Sequence, residues 1–257
     1  MIIKKLTFCL FGLILLISIQ AVASPTKKEI KKLNNALIFD LFMNFEISEK
    51  NGNLTAIIDY FPNSLGRECK SISINSNIGD SDETITFNFN NDLVENLTYN
   101  TNRILYTYDF IYEKRQLSFI KINEKAKFSF TYDKKGRLTT IKRSNNNASL
   151  EYNFDYKLEE KKVNINVVLI QKETRKPISR KHFVTWNDSY KIASYEFDAY
   201  RGYNLNYSDK EDLLSFSFTN AVEGNNNVTW NYTFDDKGNW VERRFEETTF
   251  KRTIYYK

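Results

Sequence analysis

Apolar and polar residues alternate with a period of two along most of the chain. The alternation is clearest in residues 106–112, 128–132 and 150–156, where an aromatic or aliphatic residue occupies every second position. A period of two places these side chains on one face of a β-strand and the polar residues on the other. Counting such segments predicts roughly sixteen to eighteen strands of roughly 5 to 8 residues each, from residue 43 to the end of the chain.

A helical period precedes residue 43. Thr26 and Glu29 have the spacing of a capping box, and four apolar residues then fall on one helical stripe: Ile30, Leu33, Leu37 and Leu41. The sequence therefore predicts a short amphipathic helix over residues 26–41, followed by hairpin repeats over residues 43–257. The apolar stripe suits docking to a membrane or partner, but the favoured interpretation is a cap over an open end of the sheet.

The first 23 residues have the pattern of a secretory signal peptide. Lys4 and Lys5 precede an apolar run over residues 6–19, which ends at Ala21-Val22-Ala23. This run is shorter than the roughly 20 residues that cross a bilayer, so we expect a periplasmic or secreted product without stable membrane insertion. Because no linker-like segment divides the rest, we expect a single β domain over residues 24–257.

Composition predicts a folded chain and disfavours one class of partner. The hydrophobic fraction of 41% and the aromatic fraction of 15% are sufficient to bury a core. The formal net charge of +5 falls to +3 when Lys4 and Lys5 are removed, and the basic clusters that remain are interleaved with acidic residues. This mixing partly cancels their field, so we expect no nucleic-acid partner.

Candidate catalytic and metal-binding residues are few. His182 is the only histidine, and we expect it to be a solvated or hydrogen-bonded residue at a strand edge. Cys69 is the only cysteine left after signal cleavage, and we expect a small buried residue there. Acidic pairs such as Asp235-Asp236 lie in a turn or point to opposite faces of a strand, unlike the facing carboxylates of a glycosidase. The sequence therefore predicts no catalysis, no metal and no cofactor.

Two segments share a turn pattern. Residues 132–138 (Tyr-Asp-Lys-Lys-Gly-Arg-Leu) and 234–240 (Phe-Asp-Asp-Lys-Gly-Asn-Trp) both place an aromatic residue, Asp, two polar residues and Gly in the same order. We expect Asp133 and Asp235 to accept hydrogen bonds from turn amides, and Gly136 and Gly238 to take the left-handed conformation. Weaker copies that lack the Gly occur at residues 112–117 and 207–213.

With these units the chain resembles the bacterial Rhs/YD-repeat family, and in particular its small exported members. The resemblance covers residues 85–257 and includes the closing segments 236–243 and 252–256. It implies an all-β fold with an extended or curled antiparallel sheet of repeated hairpins. It also implies a role in carbohydrate or envelope binding, and it carries over no catalytic residue.

The aromatic rows are the remaining candidates for a binding function. Tyr and Trp exposed on a sheet face can stack on sugar rings or anchor a protein. The first hypothesis is an exported, non-catalytic protein that binds a cell-envelope glycan or polymer. The alternatives are a periplasmic protein-interaction module, such as a toxin-immunity or assembly accessory protein, and an outer-membrane β-barrel, which the short predicted strands disfavour. The predicted ligand-contacting residues are Tyr106, Tyr108, Tyr152, Trp186, Tyr195, Tyr203 and Trp230.

Overall fold

A computed structural model describes residues 24–43, 46, 69–78, 81–91, 93–101, 104–123, 126–144, 148–171, 177–197, 200–210, 212–220 and 224–257. Within these residues the chain forms seventeen antiparallel strands and one N-terminal helix, which confirms the predicted all-β antiparallel fold. The predicted signal peptide and the predicted hairpin turn at Asn51-Gly52 lie outside the described residues.

The strands are consecutive in sequence. They are β1 (Cys69–Ile78), β2 (Ser81–Asn90), β3 (Leu93–Asn100), β4 (Leu105–Glu113), β5 (Gln116–Ile122), β6 (Ala126–Tyr132), β7 (Leu138–Ser144), β8 (Ala148–Lys157), β9 (Lys162–Gln171), β10 (Pro177–Trp186), β11 (Ile192–Phe197), β12 (Tyr200–Tyr207), β13 (Leu213–Asn220), β14 (Gly224–Thr229), β15 (Asn231–Phe234), β16 (Trp240–Phe245) and β17 (Thr248–Tyr256). The predicted length was too short for several of them, because β1, β2, β8, β9 and β10 have 10 residues each.

The strands form one sheet that nearly closes into a barrel. Each strand from β1 to β13 pairs with the next, and β17 pairs with β1, which places Ile72 opposite Ile254. Strands β14 and β15 follow each other with only Trp230 between them. Strand β14 pairs with β13, and β15 pairs with β16. The segment formed by β14 and β15 therefore links the strands up to β13 with the strands from β16 onward.

The apolar face of the sheet points into the barrel. In β9, Val163 and Ile165 are buried, whereas Asn164 between them lies on the outward face. The outward face carries cross-strand hydrogen bonds between polar side chains, including Ser73 with Thr86, Asn88 with Asn96, Thr185 with Ser194 and Ser217 with Asn227. A barrel that spans a lipid bilayer has the opposite arrangement, with an apolar band facing outward.

The N-terminal helix α1 (Lys27–Asn35) begins at the predicted capping box. The Thr26 amide donates to Glu29 Oε2 at 2.6 Å, and the Glu29 amide donates to Thr26 Oγ1 at 3.3 Å. The helix continues as a π-helix over Ala36–Met43, so the strand predicted to start at Met43 is wrong at that residue. The remainder of that predicted strand lies mostly outside the described residues. All four residues of the predicted apolar stripe are buried: Ile30, Leu33, Leu37 and Leu41.

Polar side chains anchor this helical segment within the barrel. Asn34 Nδ2 donates to the Gly136 carbonyl at 2.8 Å, and Asn34 Oδ1 accepts from the Leu138 amide at 3.0 Å. Asp40 in the π-helix lies 3.4 Å from Lys191 Nζ, and both side chains are buried. The ring of Phe42 packs edge-on against three rings of the sheet: Phe128, Phe130 and Tyr152. The helical segment therefore fills the barrel end at which the β6–β7 and β10–β11 turns lie.

The two repeated turns have the same geometry. Asp133 Oδ1 accepts from the amides of Lys135 and Arg137, both at 2.9 Å. Asp235 Oδ1 accepts from the amides of Lys237 at 3.0 Å and Asn239 at 2.8 Å. The glycines of these turns, Gly136 and Gly238, have φ values of 84° and 70°, in the left-handed region where a Cβ is strained.

Other turns between strands achieve a similar geometry with different residues. Asn187 Oδ1 accepts from two turn amides, and Tyr190 takes the left-handed position at φ 62°. The sequence pattern missed this copy because Asn187 stands in place of its first Asp and Tyr190 in place of its Gly. Ser208 Oγ accepts in the same way in the weaker copy at residues 207–213. The copy at residues 112–117 differs, because Lys114 and Arg115 both have positive φ and form a tight two-residue turn.

Replacing Asp133 by Ala should lower the free energy of unfolding by about 1 kcal/mol at neutral pH, as for the loss of a helix cap that accepts similar bonds. Burial would raise the pKa of Asp133, but hydrogen bonds from Arg137 and Lys135 and the Arg137 charge outweigh it and hold this pKa below its usual range. The contribution of the Asp133 carboxylate to stability should therefore be complete above about pH 4, the ordinary pKa of Asp. It should decrease as the pH falls towards the lowered pKa of Asp133 in the folded protein.

Urea unfolding at several pH values tests this expectation. The matched control is Asp209→Ala, at an exposed turn residue without a hydrogen bond among the described residues, and it should change stability little at any pH. A cost of Asp133→Ala that stays constant down to pH 2 would contradict the role of the ionised carboxylate.

Candidate functional site

The predicted ligand-contacting aromatic residues lie mainly in the barrel interior. Tyr108, Trp186, Tyr195 and Trp230 are at most 7% exposed, and Tyr106, Tyr152 and Tyr203 are half-buried. Because the sheet nearly closes, its apolar face is the core of the protein. The four buried residues are thus not positioned to stack on a ligand that approaches the outer surface.

The structure places the two residues considered for special chemistry in the core as well. His182 is 6% exposed and its ring stacks on Phe197 with centroids 4.7 Å apart, so of the two predicted alternatives, solvated or hydrogen-bonded, the solvated one is wrong. His182 lies opposite Ile165 of β9, and the pairing of β10 with β11 begins at the next residue, Phe183. Cys69 is buried at the start of β1. Within the described residues no group of three or more His, Cys, Asp or Glu side chains could hold a metal ion.

A cleft of about 620 Å³ opens where α1 enters the barrel end. Its walls come from α1, the β2–β3 hairpin, the β4–β5 turn and the β6–β7 turn. The floor is apolar and aromatic, formed by Ile30, Ile38, Phe39, Phe89, Val94, Tyr112 and Leu117. This volume and this lining are typical of a pocket for a small molecule or an acyl chain.

The rim of this basic cleft carries six cationic side chains from three elements. They are Lys27 and Lys31 of α1, Lys114 and Arg115 of the β4–β5 turn, and Lys134 and Lys135 of the β6–β7 turn. Lys27 and Lys31 are four residues apart, which puts them on one helix face. The Asp133 turn presents Lys134 and Lys135, and Asn34 holds α1 against that turn through Gly136. The anchoring of the helix therefore also assembles the rim.

The acidic residues next to these lysines in sequence are engaged elsewhere. Glu29 caps its own helix at Thr26, and Asp133 pairs with Arg137 at 2.6 Å. No Asp or Glu is among the described residues that line the basic cleft. In the part of the chain that the structure describes, Lys27, Lys114, Lys134 and Lys135 form no ion pair. The acidic residues that neighbour these four lysines in sequence therefore do not contact them directly.

The remaining polar groups of the basic cleft are fixed by the fold. The Tyr132 hydroxyl donates to the Leu117 carbonyl at 2.9 Å, and burial raises its pKa, so the phenol stays neutral. Gln116 Nε2 donates to the Gly136 carbonyl at 3.3 Å. The described lining also contains no Ser, Thr, Cys or His. The charged groups that this lining offers to a ligand are the ammonium and guanidinium groups of the rim.

The sequence did not predict the basic cleft, because its residues are far apart in sequence and come together only in the folded chain. Lys27 and Lys135 are separated by more than a hundred positions, and α1 meets the β6–β7 turn through a single asparagine. The one signal available was the recurrence of lysine pairs in α1 and in a predicted turn. Their common location depends on the helix entering the barrel, which periodicity does not show.

No helix in the described part of the chain is long and apolar enough to cross a membrane. No family model matches the chain, and no curated protein matches it. Among solved structures, a porin-like protein from Bacteroides uniformis is 15% identical with a TM-score of 0.49, and the match covers 72% of this chain and 97% of that one. A porin-like protein from Bacteroides vulgatus is 11% identical with a TM-score of 0.37 and the same coverages of 72% and 97%.

Because no family model matches the chain, that of the Rhs/YD repeats included, the predicted resemblance to that family is wrong. The turns that suggested it have a local physical cause. An acceptor side chain at the turn start and a residue able to take positive φ suit many antiparallel hairpins.

Proposed function

We propose that this chain is an exported, non-catalytic binding protein that holds an anionic amphiphile of the cell envelope in the basic cleft. The main support for this proposal is that the basic cleft combines an apolar floor with six cationic side chains at its rim and has no acidic residue in its described lining. An acyl chain would lie on the floor, and a phosphate or carboxylate head group would lie at the rim.

The two parts of the basic cleft contribute in different ways. Each methylene group that leaves water for the apolar floor contributes about 0.8 kcal/mol. Each Lys or Arg near an anionic group contributes about 1 kcal/mol, and this contribution decreases as salt screens the charges. Neither part alone specifies the ligand, whereas both together select an amphiphile with a negative head group.

The polar residues of the outward face support the proposal that this face is exposed to solvent. Polar cross-strand pairs such as Ser73 with Thr86 are suited to solvent, and most large apolar residues of the strands are in the core, whereas a lipid-facing barrel has an apolar outward band. The exposed large apolar residues are Ile104, Leu105, Ile170, Ile178, Phe234 and Tyr255. The envelope location rests on the signal peptide predicted for residues 1–23. The absence of catalysis is part of the proposal and rests on the inert lining of the cleft.

Replacing Lys114 and Lys134 by Gln should weaken binding of dodecyl phosphate by roughly thirtyfold, because two cations at about 1 kcal/mol each are lost. Isothermal titration calorimetry below the critical micelle concentration measures this change. Dodecyl maltoside, with the same chain and a neutral head group, should bind the wild type more weakly and should not distinguish the variant from it.

The matched control replaces Lys121 and Lys251 by Gln, which removes the same charge from exposed positions outside the basic cleft. This control should retain the wild-type affinity for dodecyl phosphate. Equal loss in both variants would indicate a general charge effect, and an absence of dodecyl phosphate binding to the wild type would refute the proposal.

A further inference from the structure

A second concavity, of about 800 Å³, lies over β7 to β11. Its lining includes three residues on the inward face of the strands, Phe154, Ile165 and His182, and the outward-pointing part consists of short polar side chains flanked by longer ones. We call this surface the polar trough and define it by Thr140, Asn153, Asn164, Asn166, Asp155, Lys181, Phe183 and Glu196. It shares no residue with the basic cleft.

Strand register assembles the polar trough in two rows across the sheet. In one row Asn153 lies opposite Thr140 on β7 and opposite Asn166 on β9. In the other row Asn164 lies opposite Asp155 on β8 and opposite Phe183 on β10. Three amides thus occupy adjacent positions on two strands, with one aromatic ring beside them.

These amides retain hydrogen-bonding capacity. Asn166 Oδ1 accepts from Ser179 at 2.7 Å and Asn153 Oδ1 accepts weakly from Thr140 at 3.4 Å, which leaves the NH₂ groups of both amides available. Within the described residues no hydrogen bond engages the Asn164 side chain. The polar trough therefore offers donors and an acceptor at the spacing of neighbouring strands, about 4.8 Å.

Both carboxylates of the polar trough have cationic neighbours. Asp155 pairs with Lys157 at 3.0 Å, and Glu196 lies 3.9 Å from Arg201. Lys181 is the only cation among the residues that line it. An uncharged polyhydroxyl ligand would match the amides and carboxylates.

Phe183 supplies an apolar surface at the same place. It is half-buried on the outward face, and Lys162 Nζ lies 4.5 Å from its ring centroid. Aromatic rings that lie beside hydrogen-bonding side chains suit sugar rings, which present C–H groups on their faces and hydroxyls at their edges.

We infer that the polar trough binds an uncharged oligosaccharide, with Phe183 against a sugar face and the Asn153, Asn164 and Asn166 amides bonded to hydroxyls. This site is independent of the basic cleft, and each can fail without the other.

The test uses neutral hexasaccharides of glucose, mannose, galactose and N-acetylglucosamine as probes, each titrated calorimetrically into the full mature chain. At least one should bind, and Asn164→Ala and Phe183→Leu should each weaken that binding about tenfold. Matched controls are Asn96→Ala and Phe119→Leu, since Phe119 is also outward, half-buried and covered by a lysine at 3.6 Å. Both controls should bind like the wild type.

Two results would overturn the inference. One is the absence of binding by all four hexasaccharides at millimolar concentration. The other is binding that Asn164→Ala and Phe183→Leu leave unchanged, which would place the sugar elsewhere. Asn164→Ala removes an amide that forms no hydrogen bond among the described residues, so a loss of binding in that variant with an unchanged melting temperature separates recognition from folding.

Discussion

Lys191→Met is expected to lower the free energy of unfolding by about 3–5 kcal/mol, because it removes a buried cation that pairs with the buried Asp40 carboxylate. Both side chains of this pair are buried, and their charged atoms are 3.4 Å apart. The pair joins the π-helix to the β10–β11 turn, so its loss should also loosen the helical segment from the barrel. Equilibrium unfolding in urea measures the change.

A double variant provides the control for this prediction. Asp40→Leu combined with Lys191→Met removes both charges, and it should recover most of the stability lost in Lys191→Met alone. If the double variant is as unstable as the sum of the two single variants, the pair contributes through separate packing contacts and the charge argument is wrong.

Asn34→Ala is expected to cost about 2–4 kcal/mol. The Leu138 amide loses its acceptor in a buried position, which is more costly than the loss of an exposed bond, and the Gly136 carbonyl loses one of its two donors. The variant should also reduce binding of dodecyl phosphate, because α1 carries Lys27 and Lys31 to the basic cleft.

Asn35→Ala is the matched control, since Asn35 is the next residue of α1 and is exposed. Its effect on stability should be within about 0.5 kcal/mol. Thermal unfolding checks both variants, and calorimetric binding is measured on Asn34→Ala alone because Asn35 also lines the basic cleft. Equal effects at the two positions would show that helix propensity, and not the anchoring bonds, accounts for the loss.

Local patterns in the sequence predicted the local structure well. The capping box at Thr26, the inward positions of the strands and the number of strands all follow from spacing rules that involve neighbouring residues. Strand length was underestimated where outward Asn and Ser continue a strand, as in β1, because the same residues also favour turns.

Long-range features could not be predicted in the same way. The pairing of β1 with β17 joins residues at opposite ends of the β domain and has no local signal. The pairing of β1 with β17 decides whether the aromatic face of the sheet is buried in a core or exposed. The alternation of apolar and polar residues does not show this pairing, so it could not predict whether Tyr108 and Trp186 are exposed to a ligand. The basic cleft was missed for the same reason, because its cations come from three distant segments.

The pairing of β17 with β1 also constrains how the protein folds. Until β17 is in place, both β1 and β16 have an unpaired edge, and such edges pair readily with other chains. The final step must bring together residues as distant as Cys69 and Tyr256, which costs loop-closure entropy and slows folding. A chain that crosses a membrane N-terminus first would present these open edges throughout its passage. Its productive folding should therefore depend on protection from aggregation until the last strand has emerged.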